Sequence, residues 1–279
     1  MELKNLSIVV CTKNSGAVLE ACLQNVKKEV PESEVVVVDA DSTDNTLEIA
    51  KKYANKVVSD QKKGLSYARQ LGIDSASNDY VALVGTDNII PQQTYIDLML
   101  ELQNDEKLAG AQPLTEILYP KNYWEWATKH IFTLLLNSTG FTDVVGTPCV
   151  FKKHILTSIR YDMDMKAGTD DTAVSLKLIN AGYTLKRIGS LASEKQDLSM
   201  KTFFWRWKFY GKGDSQFYEK YSPQWTLRRK CRSLTHPLVK YALRGSWKAI
   251  KNGNVALLPA LIFATFARYY GWVTEALRS

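Results

Sequence analysis

Three short, mainly apolar runs punctuate the first third of the chain: Leu6–Cys11, Val35–Val38 and Tyr80–Val84. They lack the apolar/polar alternation of a half-buried strand. Each therefore predicts a strand covered on both faces, as in a parallel sheet. Between them, Gly16–Lys28, Asp44–Ala54 and Leu65–Ala76 carry helical patterns. This β-α-β-α order predicts an α/β fold built on a doubly wound sheet. Such sheets bind ligands beyond the carboxyl ends of their strands. The residues there are Thr12–Asn14, Asp39–Asp41 and Gly85–Asn88, all three sets polar as a nucleotide site requires.

The middle of the chain is less regular. Val144–Phe151 reads as a further strand, preceded by an aromatic segment with Tyr123, Trp124 and Trp126. Asp170–Ala181 reads as a helix with Val174, Leu178 and Ala181 on one face and Gly182 as its stop. Past residue 198 the pattern changes. Phe203, Phe204, Trp205 and Trp207 interleave with Arg206 and Lys208, followed by a basic stretch at Arg228–Arg232 and an apolar run at Val255–Ala267.

Charge follows the same division. The 279 residues sum to +7. Residues 1–198 hold 21 Lys+Arg against 26 Asp+Glu, or −5, and residues 199–279 hold 15 against 3, or +12. Two functionally different segments are expected, 1–198 and a helical, basic 199–279. No low-complexity linker or internal repeat interrupts them. Met1–Val10 lacks the pattern of a secretory signal. Cys11, Cys22, Cys149 and Cys231 form no CxxC pair, so free thiols in a cytoplasmic setting are expected and a zinc site is not.

The chemistry concentrates in a few clusters. In Val35-Val-Val-Val-Asp39-Ala-Asp41-Ser-Thr-Asp44-Asn-Thr46 a strand ends in an acid and a Ser/Thr/Asp cluster opens a helix. Asp44 suits a helix cap, whereas Asp39 stands at the strand's carboxyl end, where a nucleobase or ribose could be hydrogen-bonded. This stretch resembles the VVDxxSxDxT signature of family-two glycosyltransferases. Four further pieces follow that family's order. Cys11-Thr12-Lys13-Asn14 resembles the loop after the first strand, and Gly64-Leu-Ser66-Tyr-Ala68-Arg69-Gln-Leu-Gly72 resembles its G-x-s-x-A-R-N-x-G helix. Tyr80–Asn88 resembles the strand ending in the DXD motif. Thr169-Asp170-Asp171, with Leu178, Gly182 and Tyr183, resembles the acidic segment and its G-Y tail. The resemblance covers roughly residues 5–190, and five motifs in order carry far more weight than any one.

The resemblance implies a GT-A type fold and an inverting transfer of a hexosyl or N-acetylhexosaminyl group from a nucleotide sugar to a hydroxyl. A UDP-sugar is favoured, with a GDP-sugar second. Thr12 and Asn14 would lie near the nucleoside, Asp39 would hydrogen-bond the base, Arg69 would lie near the nucleotide or diphosphate, and Asp41 and Thr86 would also bind the donor. Asp87 would hold Mg²⁺ or Mn²⁺, which stabilises the departing diphosphate as a Lewis acid. The chain departs from the pattern at Gly85, where the first acid of DXD is expected. It departs again at Ala192–Lys195, where a histidine often stands and Glu194 is the nearest substitute. Asp171 is the expected base for the acceptor hydroxyl and Asp170 its neighbour, both at a helix start that favours the ionised form. His130, His154 and His236 show no triad or metal spacing.

A membrane-crossing helix needs about 20 apolar residues. Val255–Ala267, broken by Pro259 and closed by Arg268, falls short of that. With the aromatic and cationic residues near 200–212 it predicts a segment lying on the membrane, drawn to anionic lipid. Packing as an ordinary helical core is the alternative. No nucleic-acid motif accompanies the basic charge. The expected acceptor is lipid-linked or a membrane-proximal glycan, at the cytoplasmic face. The competing functions are a polyprenyl-phosphate sugar synthase and a nucleotide-sugar-binding protein without turnover. A Rossmann dehydrogenase is disfavoured, because no G-x-G-x-x-G follows the first strand.

Overall fold

The computed structural model describes residues 3–165 and 167–278. The chain forms two compact units. One comprises residues 1–115, 139–166 and 170–195; the other comprises 116–138, 167–169 and 196–279.

The first unit is a nine-stranded mixed sheet in the order β3-β2-β1-β4-β8-β6-β9-β5, with β7 paired to β9. Its strands are β1 (Leu6–Thr12), β2 (Glu34–Asp39), β3 (Lys56–Ser59), β4 (Tyr80–Val84), β5 (Asn88–Ile89), β6 (Leu108–Ile117), β7 (Gly140–Phe141), β8 (Cys149–Lys152) and β9 (Thr184–Glu194). Strands β3, β2, β1 and β4 are parallel. Strand β8 joins antiparallel, Leu83 facing Cys149. The start of β8 therefore lies at the edge where the parallel strands end. The expected strand at Val144–Phe151 begins only at Cys149, because Pro148 has no N–H to give a ladder.

Helices α1 (Gly16–Glu29), α2 (Thr46–Tyr53) and α4 (Gln92–Asn104) cover one face. Helices α3 (Leu65–Ser75), α6 (Lys153–Ser158) and α7 (Asp170–Asn180) cover the other. Ile8, Val10, Val35, Val37, Ala82 and Val84 pack towards the first set. Val9, Val36, Val38, Val81 and Leu83 pack towards the second. Successive strand side chains point to opposite faces, so the unbroken apolar runs are explained by burial on both sides. The doubly wound α/β arrangement is the one expected.

The second unit is helical: α5 (Tyr123–Ile131), α8 (Met200–Tyr221), α9 (Leu227–Pro237), α10 (Ser246–Lys251) and α11 (Leu258–Ala276). A single cut at residue 198 assigns α5 to the sheet. Contacts assign it to the helices, because Ala127 and Ile131 share a core with Phe203, Trp207, Leu261 and Ala264. Helix α8 opens with a capping box between Ser199 and Thr202. Helices α8 and α11 run side by side in the same direction: Phe203 stacks on Phe263, and further along Gln216 Nε2 donates to Glu275 Oε1 at 2.7 Å. A Cβ on Gly211 would lie 1.8 Å from the Arg268 carbonyl oxygen, and one on Gly271 would lie 2.0 Å from that of Lys208. Only glycine permits this approach.

Helix α3 packs equally closely on the sheet, since a Cβ on Gly72 would lie 2.3 Å from Val9 Cγ1. Val9 is itself fully enclosed, so overpacking of this kind costs about 1–3 kcal/mol. Gly72→Ala is expected to lower the urea midpoint accordingly. Gly189→Ala, with nothing within 4 Å of the added atom, leaves it unchanged within about 0.5 kcal/mol.

Candidate active site

The parallel strands end together. Thr12 closes β1 and Asp39 closes β2, facing each other in register. Thr12 is buried and its hydroxyl has no hydrogen-bond partner. The Asp39 carboxylate is spent locally: Oδ2 accepts from the Ser42 N–H at 2.9 Å and Oδ1 from the Ser42 hydroxyl at 2.5 Å. Asn14 and Asp41 both have positive φ, 47° and 49°, which short polar side chains tolerate. The Asn14 N–H donates to Ser42 Oγ at 2.8 Å and its Oδ1 accepts from the Thr43 N–H at 2.8 Å. Asp41 Oδ1 accepts from the Ser59 hydroxyl at 2.6 Å. Asp44 stands one residue before Asn45, the N-cap of α2, and its carboxylate accepts from the first N–H of α2, Thr46 at 3.1 Å, and of α1, Gly16 at 3.2 Å, so it joins two helix starts instead of capping one. These contacts stitch the loops after β1, β2 and β3 into one polar rim.

Asp60, which the sequence reading passed over, lies beside this rim. Burial first, then the Asp41 and Asp39 charges, raise its carboxyl above the usual range. Its Oδ1 accepts from the Lys62 N–H at 2.8 Å.

Beyond β4 the chain turns through Gly85, Thr86 and Asp87. The Gly85 N–H donates to Asn88 Oδ1 at 2.7 Å, and the Lys195 N–H donates to the Asp87 carbonyl at 2.8 Å. Antiparallel β5 and β9 set Asn88 opposite Glu194. A Cβ on Gly85 would lie 2.7 Å from Asp87 Oδ1, so the Asp87 carboxylate occupies the space a first acid would need. No group of three or more His, Cys, Asp or Glu able to hold a metal occurs among the described residues. One carboxylate suits a divalent cation that takes its remaining ligands from a diphosphate and water. It does not suit a cation bound by protein alone.

Asp170 and Asp171 open α7. Arg69 on α3 meets both: Nη1 donates to Asp170 Oδ2 and to Asp171 Oδ1, while Nη2 donates to Thr147 Oγ1 at 2.8 Å. Arg69 is 9% exposed, so it is neither a surface arginine nor a cation standing free for phosphate. The side chain of Asp170 is 2% exposed and that of Asp171 is 25%. Only Asp171 can meet an incoming group. Its burial pushes the carboxyl up to about 7, with Arg69 opposing the shift and Asp170 adding to it.

A family model described as glycosyl transferase family 2 matches residues 7–160. The chain belongs to this family. A cholesterol galactosyltransferase of Borreliella burgdorferi is 31% identical over 100 residues, 34% of this chain and 28% of that one. A poly-β-1,6-N-acetyl-D-glucosamine synthase of Staphylococcus aureus is 27% identical over 203 residues, 66% of this chain and 48% of that one. The chain thus spans less than half the length of these curated relatives. Among solved structures, the mannosyltransferase PcManGT of Pyrobaculum calidifontis, in complex with GDP-Man and Mn²⁺, superposes with a TM-score of 0.62 at 16% identity, covering 98% of this chain and 86% of that one. TarS of S. aureus superposes with a TM-score of 0.54 at 18% identity, covering 97% and 55%. At these identities the likeness shows the fold, which is of the GT-A type.

Within this family-2 chain the tertiary fold recruits Gly146, Thr147, Cys149 and Tyr161 to the acid pair. Nothing in their spacing announces this. Tyr161 is buried with an unpartnered hydroxyl, and burial pushes it and the Cys149 thiol well above their usual ranges.

The raised Asp171 carboxyl has a consequence for stability. A native state that holds a proton up to about pH 7, which the unfolded chain releases near pH 4, loses stability as pH rises between those values. Asp171→Asn removes that loss. The variant is expected to gain on wild type between pH 5 and pH 8 by an amount on the order of 1–3 kcal/mol. Thermal or urea unfolding across that range checks it; a constant difference contradicts it.

Proposed function

We propose that the protein is an inverting glycosyltransferase that moves a sugar from a nucleotide sugar to a hydroxyl of a lipid-linked or membrane-proximal acceptor. The observation that carries this reading is the part-exposed Asp171 carboxylate, held at a helix start in the same unit as the polar rim at the parallel strand ends. A UDP-sugar is the favoured donor and a GDP-sugar the second; neighbouring folds are known with UDP, UDP-GlcNAc and GDP-Man.

In this reading Thr12, Asn14, Asp39 and Asp41 line the nucleoside side. The unpartnered Thr12 hydroxyl supports it. Thr86 and Asp87 face the diphosphate. Mg²⁺ or Mn²⁺ on Asp87 would neutralise the departing diphosphate. Asp171 takes the proton of the acceptor hydroxyl. The acceptor oxygen bonds to the anomeric carbon from the face opposite the leaving group, and the bond to the diphosphate breaks with its electron pair on the nucleotide.

Asp171→Asn is expected to lower transfer by about 10²–10⁴-fold, the usual cost of losing a general base, with nucleoside diphosphate affinity kept. Transfer assays and calorimetry with UDP and GDP check this. The same calorimetry, with and without Mn²⁺, should show a cation-dependent gain that Asp87→Ala abolishes. A fully active Asp171→Asn enzyme favours a phosphate acceptor, as in a polyprenyl-phosphate sugar synthase, since a phosphate oxygen needs no base. Donor binding without any transfer favours a binding protein.

The membrane part of the reading rests on the helical unit. No Asp or Glu occurs between Glu219 and Glu275, while ten Lys and Arg do. Leu227, Leu243, Trp247, Ile250, Ile262 and Phe266 are exposed on it. The helix beginning at Val255 continues past Arg268 to Ala276, 22 residues, and is long and apolar enough to cross a membrane by length and composition. The sequence reading ended the run at Arg268, but that residue is buried and paired with Asp214, Nη2 to Oδ1 at 2.8 Å. Its neighbour α8 carries Lys208, Lys212, Asp214 and Glu219, which a bilayer core would penalise. An in-plane, monotopic position on an anionic, cytoplasmic membrane face suits both helices. Full-length protein is expected to sediment with anionic vesicles at low salt, less at high salt, and to be released by alkaline carbonate. Protein that stays in the supernatant at low salt refutes surface binding; protein that resists carbonate refutes the in-plane position.

A further inference from the structure

The loop before β8 and the start of α7 leave the two oxygens of Asp171 in different situations. Oδ1 is held by Arg69 Nη1. Oδ2 faces Gly146, where an added Cβ would stand 3.0 Å away. Glycine there leaves this oxygen uncovered. We propose that Arg69 is a positioning residue that fixes the Asp171 carboxylate through Oδ1 and leaves Oδ2 as the single proton-accepting atom. The proposal rests on the reading of Asp171 as the base, and it takes Arg69 away from the diphosphate.

Three observations carry it. The guanidinium is buried, and two of its nitrogens are committed to Asp170, Asp171 and Thr147. Its single charge is set against two carboxylates, so the cluster as a whole carries −1 when both are ionised and does not attract a diphosphate. Planar fork geometry, unlike the point charge of a lysine, lets one residue hold several acceptors in fixed orientation. The requirement is physical as well. Two carboxylates in adjacent positions at one helix start repel each other, and an opposite charge between them is what allows both to ionise.

The groups around Asp171 are few. Arg69 comes from α3, Asp170 from α7, Cys149 from β8 and Tyr161 from the segment after α6. Cys11 on β1 lies near Arg69 and is pushed up to about 12 by burial. The two thiols and the phenol stay neutral at physiological pH. Arg69 and Asp170 are therefore the charges that set the Asp171 titration, and they pull in opposite directions.

The test follows Asp171 directly, by ¹³C NMR of aspartate-labelled full-length protein, with the signal assigned by its loss in Asp171→Asn. Arg69→Gln removes the opposing charge and should raise the titration midpoint by about one to three units. Asp170→Asn removes the like charge while keeping shape, and should lower it. In parallel, UDP and GDP affinities measured by calorimetry with Mn²⁺ should stay within about threefold of wild type in both variants. An unmoved midpoint in Asp170→Asn, which remains informative where Arg69→Gln fails to fold, overturns the inference. So does a loss of UDP or GDP affinity of about tenfold or more in Arg69→Gln with the midpoint unchanged, which would return Arg69 to the donor. Neither readout depends on turnover, so failure of the base assignment, seen as an active Asp171→Asn enzyme, remains distinguishable.

Discussion

A guanidinium taken out of water must be paired, and pairing Arg69 ties together segments that are far apart in sequence. Breaking one partner of a buried ion pair typically costs about 3–5 kcal/mol, because an unpaired charge stays behind. Arg69 therefore constrains where α7 starts. It also holds the loop before β8 through Thr147. Helix α3 can serve as the anchor because Gly72 lets it sit directly on Val9 of β1. Close packing of helix on strand, one ion cluster and one hydroxyl contact thus set the part-exposed acid beyond the sheet edge.

The departure at Gly85 has a local explanation and a functional consequence. With no side chain at 85, the Asp87 carboxylate folds back over the turn, near Asn88. The two-acid form of the motif cannot be restored without moving Asp87. A lone carboxylate offers a divalent cation few protein ligands. Glu194 stands opposite Asn88 in the sheet, a placement that comes from strand register.

In the helical unit, the usual apolar-in, charged-out pattern is reversed at two places. Arg268 and Asp214 are paired in the interior, while Trp205, Trp247 and Phe266 lie on the outside. The alternation of aromatic and basic residues after Ser199 does not translate into one wet and one greasy side. Trp207 packs in the core against Tyr241, whereas Trp205 stays exposed with Lys208 4.4 Å from its ring centroid. Residues two apart on a helix face different ways, so core packing and an exposed interfacial surface coexist on the same helix. The segment Ala167–Thr169 belongs to this unit: the Ala167 N–H donates to Gln216 Oε1 at 3.2 Å, and Gly213 makes room for Thr169. The chain passes directly from it into Asp170.

The sequence by itself determined the parallel half of the sheet and its covering helices. Apolar runs buried on both faces, with strong helix patterns between them, allow few other arrangements. It also located the polar strand ends Thr12–Asn14, Asp39–Asp41 and Gly85–Asn88, and it named Asp170 and Asp171 as a helix start, because these are local features of order and capping. Strands β3, β6 and β9 escaped it, since their pairing depends on partners distant in the chain. The position of α5 among the helices escaped it for the same reason. What only the tertiary structure decided is the set of partners: that Arg69 faces the acids, that Gly146 leaves one Asp171 oxygen open, and that Arg268 is an interior residue. Burial and ion pairing are properties of neighbours in space, and a linear pattern carries no record of which distant residue will supply the compensating charge.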